Sequence, residues 1–457
     1  MERSEPSRTG KSTSDRRALS FTIERSSRGA RRATTVVAGL LAVGLVAASC
    51  GGTASPSAAP GASSTAAGTS AAASGPVTIG LLAPMTGSRS DLGSGMQLGA
   101  QLALGAINAG GGVLGHQVKL VTQDDAADPA DAAPAAQLEI NSDHVVAIIG
   151  PTAITDSVVL PLVDKANIPN LMFGGGSEFD AATDPHFFRM SPSDTEQAQA
   201  MVYYAHSKGW SSIALAFGAS SGSQALVPGI KDAAKALGMT VTGNVTFTAG
   251  ASSYRSEIQK LFAGKPQVII AQFNNATAGV VFGEIAQAGL NSTPWIGSNL
   301  WYTDTWFKSV GPTIASGPIY LANSSSSGML GAKAFLDLLQ KKTGSNIPKN
   351  GEEFMYDAAM TWALGAQVAG TWSWPKIRDG ILKASDPPGT ACGDWSSCAA
   401  LIKKGTKIDW QGSASTVDFN KYDNVFGPFA ILRYDSSGNA KTVVTLTPQK
   451  LETAFNK

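Results

Sequence analysis

Val77-Thr78-Ile79-Gly80-Leu81-Leu82, followed by Ala83-Pro84-Met85-Thr86-Gly87, is the stretch whose reading decides the fold. The first six residues are apolar or β-branched and form a short run that ends at a loop of turn formers. Such a run reads as a strand buried on both faces, the environment of a parallel sheet. Beyond the loop, Leu92, Met96, Gly99, Ala103 and Ile107 recur at helical spacing. The unit is therefore strand, loop, helix.

The same unit repeats along the chain. Residues 118–122 read as a strand and 129–140 as a helix that can begin at Pro129. Residues 145–149 read as a strand, 156–166 as a helix and 168–173 as a strand. The rhythm resumes with strands at 213–217, 240–247 and 268–273, and with helices ending near Leu237, Phe262 and Ala288. Strands alternating with helices imply an α/β protein with parallel sheets covered on both faces. The break near Met190-Ser191-Pro192 divides the series into two doubly wound, Rossmann-like lobes. Helices at 330–342 and 352–369 have no strands of their own and are expected to pack back on the first lobe.

The N-terminus is of another kind. Residues 1–32 hold nine Lys or Arg against four acids, and residues 33–48 carry no charge. Sixteen uncharged residues are short of the roughly 20 needed to span a membrane. A basic start, a short apolar core and the small-residue ending Val46-Ala47-Ala48-Ser49-Cys50 describe a signal peptide over 1–49. The ending resembles a bacterial lipobox, with a lipid expected on Cys50. An uncleaved anchor helix is the alternative, and Arg31-Arg32 lacks the Phe-Leu of a twin-arginine signal. Residues 51–75 have no charge, aromatic or periodicity, so 50–75 reads as a lipidated cysteine and flexible tether.

Removing residues 1–49 takes nine of the 35 basic and four of the 34 acidic residues, leaving 26 against 30. No basic run remains, which argues against nucleic acid as a partner. The 382 residues from Pro76 onward suggest two domains. Of three cysteines, Cys392 and Cys398 remain once Cys50 takes a lipid. They can close a small loop in an oxidising compartment; two reduced buried thiols are the second reading.

Parallel α/β sheets place ligands beyond the carboxyl ends of their strands. The loops to inspect are 83–95, 150–156, 174–179, 218–222, 274–278 and 297–301. Within them, Gly218-Ala219-Ser220-Ser221-Gly222 matches the G-x-S-x-G nucleophile elbow between a strand and a helix. A hydrolase of that type needs a His downstream, and His116, His144, His186 and His206 all precede Ser220. A turn opening a helix is the preferred reading, and a catalytic role is not assigned. Gly110-Gly111-Gly112-Val113-Leu114-Gly115 follows a helix and precedes a strand, the reverse of a dinucleotide fingerprint. Asp124-Asp125 have no His or Cys beside them and read as loop or capping acids rather than metal ligands. The stretch from Asp418 lacks a calcium loop's Gly and Glu, and Asp435-Ser436-Ser437-Gly438-Asn439 reads as a hairpin turn. No cofactor or metal is expected.

Together, Ile79 to Gly87, Gly99 to Gly111, Asp124-Asp125 with Asp128-Pro129, Ile149-Gly150-Pro151 and Asn167-Ile168-Pro169 resemble the branched-chain amino-acid binding proteins. These are type I solute-binding subunits of ABC uptake transporters. The resemblance implies two lobes joined by three crossings, expected near 190–192, 320–324 and 413–419. Lobe 1 is then 76–190 plus 324–412, and lobe 2 is 191–323 plus 413–457. It implies a monomer tethered outside the cytoplasm at the membrane, which closes on a small solute and docks on a permease.

Carried over residue by residue, the resemblance places Thr152 or Thr155 at a ligand carboxylate, with Gly175 and Ser177 after the fourth strand. Ser221 stands where an aromatic is common. Arg89, Leu92 and Asn274 complete the loops, and Trp301 is placed at the ligand. Where the family has an acid for the α-ammonium, this chain has Asn299. An Asn cannot supply a charge-assisted bond to an ammonium, so a neutral or anionic solute is expected. A ligand sensor on the same fold is the second reading, and a purely structural lipoprotein a further one.

Overall fold

A computed structural model describes residues 75–349 and 351–455. Cys50, the signal peptide and the tether lie outside the described residues. Among those described, no helix is long and apolar enough to cross a membrane.

The chain begins with β1 (Val77–Ala83), a 3-10 turn (Gly87–Arg89) and α1 (Ser90–Ala109). There follow β2 (Val118–Asp124), α2 (Pro129–Asn141), β3 (Ile148–Thr152), α3 (Ala153–Ala166), β4 (Asn170–Phe173) and β5 (Phe187–Arg189). These five strands form one parallel sheet in the order β2-β1-β3-β4-β5. Asp128 caps α2 by accepting from Ala130 N at 2.8 Å, with Pro129 at the first helical position. Strand β3 starts three residues later than the apolar run suggests. Gly150, at a φ of 99° that favours glycine, lets the strand carry on through Pro151 to Thr152.

The second series comprises α4 (Asp194–Ser207), β6 (Ser212–Gly218), α5 (Ser221–Gln224), α6 (Leu226–Ala236), β7 (Thr240–Phe247), α7 (Arg255–Ala263), β8 (Val268–Gln272) and α8 (Asn275–Gln287). It continues through β9 (Trp295–Gly297), α9 (Asp304–Val310), α10 (Pro312–Ala315) and β10 (Ile319–Ser324). The chain then enters α11 (Ala332–Thr343), α12 (Glu352–Ala369), α13 (Lys376–Ser385), β11 (Thr390–Cys392), α14 (Trp395–Lys403) and β12 (Ile408–Trp410). It ends with β13 (Phe429–Tyr434), β14 (Ala440–Leu446) and α15 (Pro448–Phe455). The second sheet runs β14-β13-β10-β9-β8-β6-β7, with only the β13 and β14 pairings antiparallel. Asp435 makes the hairpin turn there, its Oδ1 accepting from Ser437 N and Asn439 N at 3.0 Å each.

Helix α12 is buried nearly all round, as a helix apolar on every face must be. Met355, Met360, Trp362 and Leu364 join Ile79, Leu81, Met96 and Ile107 in the first lobe's core. The second lobe has cores on both faces of its sheet, one around Met201, Leu215 and Ile230 and one around Phe273, Phe282 and Trp306. Cys392 and Cys398 are paired as a disulfide.

Two crossings differ from their expected places. Residues 320–324 are not a linker but β10, held between β9 and β13; the chain leaves the second sheet after Ser324. Residues 413–419 do not leave the first lobe, because Ala414, Val417 and Val425 are buried in its core. Asp357 fixes their start, accepting from Ser413 N at 2.7 Å, Ser413 Oγ at 2.9 Å and Ala414 N at 2.8 Å. The first and third crossings are bonded side by side: Arg189 N donates to Asp423 O at 2.9 Å, and Val425 N to Arg189 O at 3.2 Å.

Candidate functional site

The carboxyl ends of β1, β3 and β4 carry the first-lobe candidates, and those of β6, β8 and β9 the second-lobe candidates. Asp124 organises the loop after β1. Its Oδ1 accepts from Met85 N, Thr86 N and Ala126 N, and its Oδ2 from Thr86 Oγ1 at 2.6 Å. Burial raises its pKa, but these bonds outweigh it and hold the carboxyl below its ordinary value. Arg89 follows at the end of the 3-10 turn. Its Nη2 comes within 4.0 Å of where a Cβ on Gly222 would stand, so it reaches the second lobe. Partial burial lowers its pKa, against the pull of Asp125 and Asp194. Leu92, one turn on, is half-buried and packs against the first core.

The two threonine candidates separate. Thr155 is fully buried and its Oγ1 donates to Asp125 Oδ2 at 2.9 Å. Thr152, at the N-cap of α3, is 3% exposed, and its Oγ1 has no partner. A buried hydroxyl without a partner is a costly group that a ligand can satisfy. Beside it, Gly175 O accepts from Asp194 N at 2.6 Å, and a Cβ on Gly175 would collide with the Asp194 carboxylate. Burial pushes Asp194 to about 6, with Arg189 opposing and Glu178 and Asp180 adding repulsion. Ser177 is exposed at the start of a short 3-10 turn.

In the second lobe, Ser221 is exposed in the first turn of α5. Its neighbour Ser220 caps that helix and donates to Ser223 Oγ at 3.0 Å, so the elbow motif is a helix start. Asn274 is exposed and caps α8, accepting from Thr277 N at 2.8 Å. Asn299 is half-buried and tied within its own lobe, accepting from Gln197 Nε2 at 3.2 Å.

Trp301, expected at a ligand, lies in the core. It has no exposed surface, its indole N–H donates to Phe273 O at 3.0 Å, and its ring stacks on Trp306 at 5.2 Å. Gly297 is the physical reason: a Cβ there would overlap the indole, and its absence lets the ring fold back over β9.

The next residue, Tyr302, remains half-buried. Burial raises its phenol pKa, and the charges of Glu353 and Asp304 raise it further. Glu353 belongs to the first turn of α12, in the first lobe, so the first of these charges acts on a second-lobe phenol from the opposite lobe. The Glu353 Oε1 is buried without a partner. Burial pushes this carboxyl to about 7; a bond from Ser326 opposes the shift, and Asp357 and Glu352 add to it. Its neighbour Phe354 packs on Phe173 with ring centroids 5.1 Å apart, and Phe173 pairs with Thr152 in the sheet. The unpartnered hydroxyl of Thr152 and the Phe173–Phe354 ring pair thus lie together at the ends of β3 and β4, and the acid with the unpartnered oxygen, Glu353, stands in the first turn of the helix that carries Phe354. Neither Glu353 nor Tyr302 was found from sequence. A Glu in the first turn of a helix has an ordinary explanation in the helix dipole, and nothing in its spacing brings it to the strand ends.

Residues 76–444 match the sequence profile of the family described as periplasmic binding protein. The chain belongs to the periplasmic binding protein family. Members of this family are solute-binding proteins, and membership implies a place outside the cytoplasm. The Leu/Ile/Val-binding protein BraC3 of Rhizobium johnstonii is 27% identical over 314 residues, covering 65% of this chain and 80% of that one. The solved structure of LivJ from Streptococcus pneumoniae, a branched-chain amino acid transporter substrate-binding protein in complex with isoleucine, superposes with a TM-score of 0.65. It is 20% identical and covers 82% of this chain and 100% of its own. A solute-binding protein from R. palustris in complex with benzoate gives 0.63 at 18% identity, covering 82% and 97%. These structures establish the two-lobed type I fold.

Proposed function

We propose that this protein is the solute-binding lipoprotein of an ABC uptake transporter, anchored by a lipid on Cys50 and delivering its solute to a membrane permease. Its ligand carries an ammonium or comparable hydrogen-bond-donating cation, together with a carboxylate or amide. The observation that carries this reading is a pair of buried polar atoms without partners, the Thr152 hydroxyl and Glu353 Oε1, on elements linked by the Phe173–Phe354 contact. The Thr152 hydroxyl and the N-terminus of α3 suit a carboxylate or amide oxygen. Glu353 is a half-buried acid whose Oε1 is buried and unsatisfied, and an ammonium is the partner that would ionise and satisfy it. Phe173, beside Thr152 in the sheet, packs on Phe354, the residue after Glu353. The expectation of a neutral or anionic solute rested on Asn299, but an acid offered from the opposite lobe can serve the ammonium instead.

Closure stabilises the complex only by the ligand's differential affinity for the closed state. Tyr302 and Glu353 belong to different lobes, so a ligand touching both favours closure. Calorimetric titration with amino acids, their amides and aromatic acids tests the proposal. Amino acids are expected to bind, with affinity falling at least tenfold in Glu353→Gln. Binding should also weaken about tenfold for each pH unit below about 7, because the ammonium selects the ionised acid. Tight binding of benzoate-like acids alone, unchanged in Glu353→Gln, overturns the ligand assignment.

A further inference from the structure

His186 lies outside the cleft, in the loop that leads into β5. It is 4% exposed, and its ring stacks on Trp374 with centroids 3.9 Å apart. Its backbone is fixed on both sides: Asn170 N donates to His186 O at 2.7 Å, and His186 N donates to Asp184 Oδ1 at 2.9 Å. The imidazole is therefore held in one orientation. Its Nδ1 faces two carboxylate oxygens, Asp164 Oδ1 at 3.0 Å and Asp184 Oδ1 at 3.3 Å. The three donor atoms all lie within 4.8 Å of one another.

One nitrogen carries at most one proton, so Nδ1 offers a single donor to two carboxylate oxygens. Among the described residues neither acid has a Lys or Arg partner. On the other side of the ring, Nε2 is buried and unpartnered. The ring is thus nine-tenths buried, and Nδ1 is the nitrogen that faces the two acids. Donors bound to one tetrahedral cation at about 2.0–2.2 Å sit roughly 3.3–3.5 Å apart, close to the nitrogen–oxygen separations found here.

We propose that Asp164, Asp184 and His186 form a binding site for a divalent cation of the borderline class, with Zn2+ preferred. A mixed nitrogen and oxygen set favours zinc over calcium or magnesium, which take oxygen ligands in larger numbers. Nδ1 binds the ion, the ring hydrogen resides on Nε2, and solvent supplies the remaining ligand. The donors come from the last turn of α3 and from the loop before β5, all in the first lobe. The ion therefore ties a helix end to the sheet edge. It acts on stability and leaves lobe closure alone.

The test uses the full chain stripped with a chelator and titrated with ZnCl2 by calorimetry and thermal melting. One equivalent should bind and raise the Tm by about 3 °C at saturation, while CaCl2 and MgCl2 at the same concentration should not. CoCl2 should give the visible absorption of a tetrahedral nitrogen and oxygen site. Asp164 has 56% of its side chain exposed, so Asp164→Asn should fold, and its zinc affinity should fall at least tenfold. Asp184→Asn provides the second arm. Absence of zinc binding overturns the proposal, as does binding of equal strength in both variants, which would put the ion elsewhere.

Discussion

Two threonines three residues apart have opposite duties, and the difference can be measured. Thr155 gives its hydroxyl to Asp125, a buried acid whose pKa burial has already raised. Thr152 gives its hydroxyl to nothing. Thr155→Val should cost about 1–3 kcal/mol, because it strips a donor from a buried carboxylate. Thr152→Val should leave the urea midpoint of the free protein unchanged or slightly raised, since no bond is lost. Its ligand affinity should nevertheless fall about tenfold, the worth of one hydrogen bond to a charged group. Titration calorimetry and urea melts on the two variants decide it. If both lose stability and neither loses affinity, Thr152 has no place in the site. Sequence reading named both residues and left the choice open. The deciding fact, a bond to Asp125 thirty positions away, is a property of the fold.

The same distinction runs through the elements. Repeated short apolar runs and helical spacings carried the α/β class, the double series and the return of α12 to the first lobe, because burial imposes those periods directly. Residues 240–247 and 352–369 have the bounds read from the sequence. Less legible were the three-residue strands β5, β9, β11 and β12, which are too short for a period and owe their state to neighbours already in place. Trp301 was misplaced for a related reason: its direction depends on the missing Cβ of Gly297, a steric fact with no sequence signature. The His186 cluster escaped as well, since its ligands are spread over positions 164 to 186 without a motif spacing. Cys392 and Cys398 illustrate an element-scale effect. Their bond joins the end of β11 to the first turns of α14, closing a seven-residue loop. Chain-entropy arguments assign such a loop about 2 kcal/mol. A double Cys→Ser variant should lose about that much in a denaturant melt, with solute affinity preserved. Reducing agent should reproduce the loss in the parent protein and do nothing to the variant.

At the scale of the whole molecule, several buried acids make stability depend on pH in a direction opposite to most proteins. Burial pushes Asp156 to about 7, against a bond from Asn170, and Asp357 to about 7, against bonds from Ser413 and Ala414. Glu353 stands at about 7 and Glu196 at about 8, the latter raised by burial against the attraction of Arg189. In the unfolded chain such groups titrate near pH 4. The folded state therefore holds more protons than the unfolded one between about pH 4 and 8. Stability from these groups is fully present below pH 4 and is lost as pH rises through 7 and 8. Each extra bound proton is worth about 1.4 kcal/mol per pH unit in the limit. Asp124, with a lowered pKa, works the other way, but only near and below pH 4. The free protein should thus melt several degrees lower at pH 8 than at pH 5.5. An ammonium ligand should reverse part of this, because it binds ionised Glu353 and grips more tightly as pH rises. The Tm gain on adding ligand should then grow between pH 5.5 and 7.5 in the parent protein, and stay level in Glu353→Gln. Melting curves at fixed ionic strength give both slopes. A free-protein Tm that climbs over this range would mean that the acids are paired in ways their buried positions do not provide.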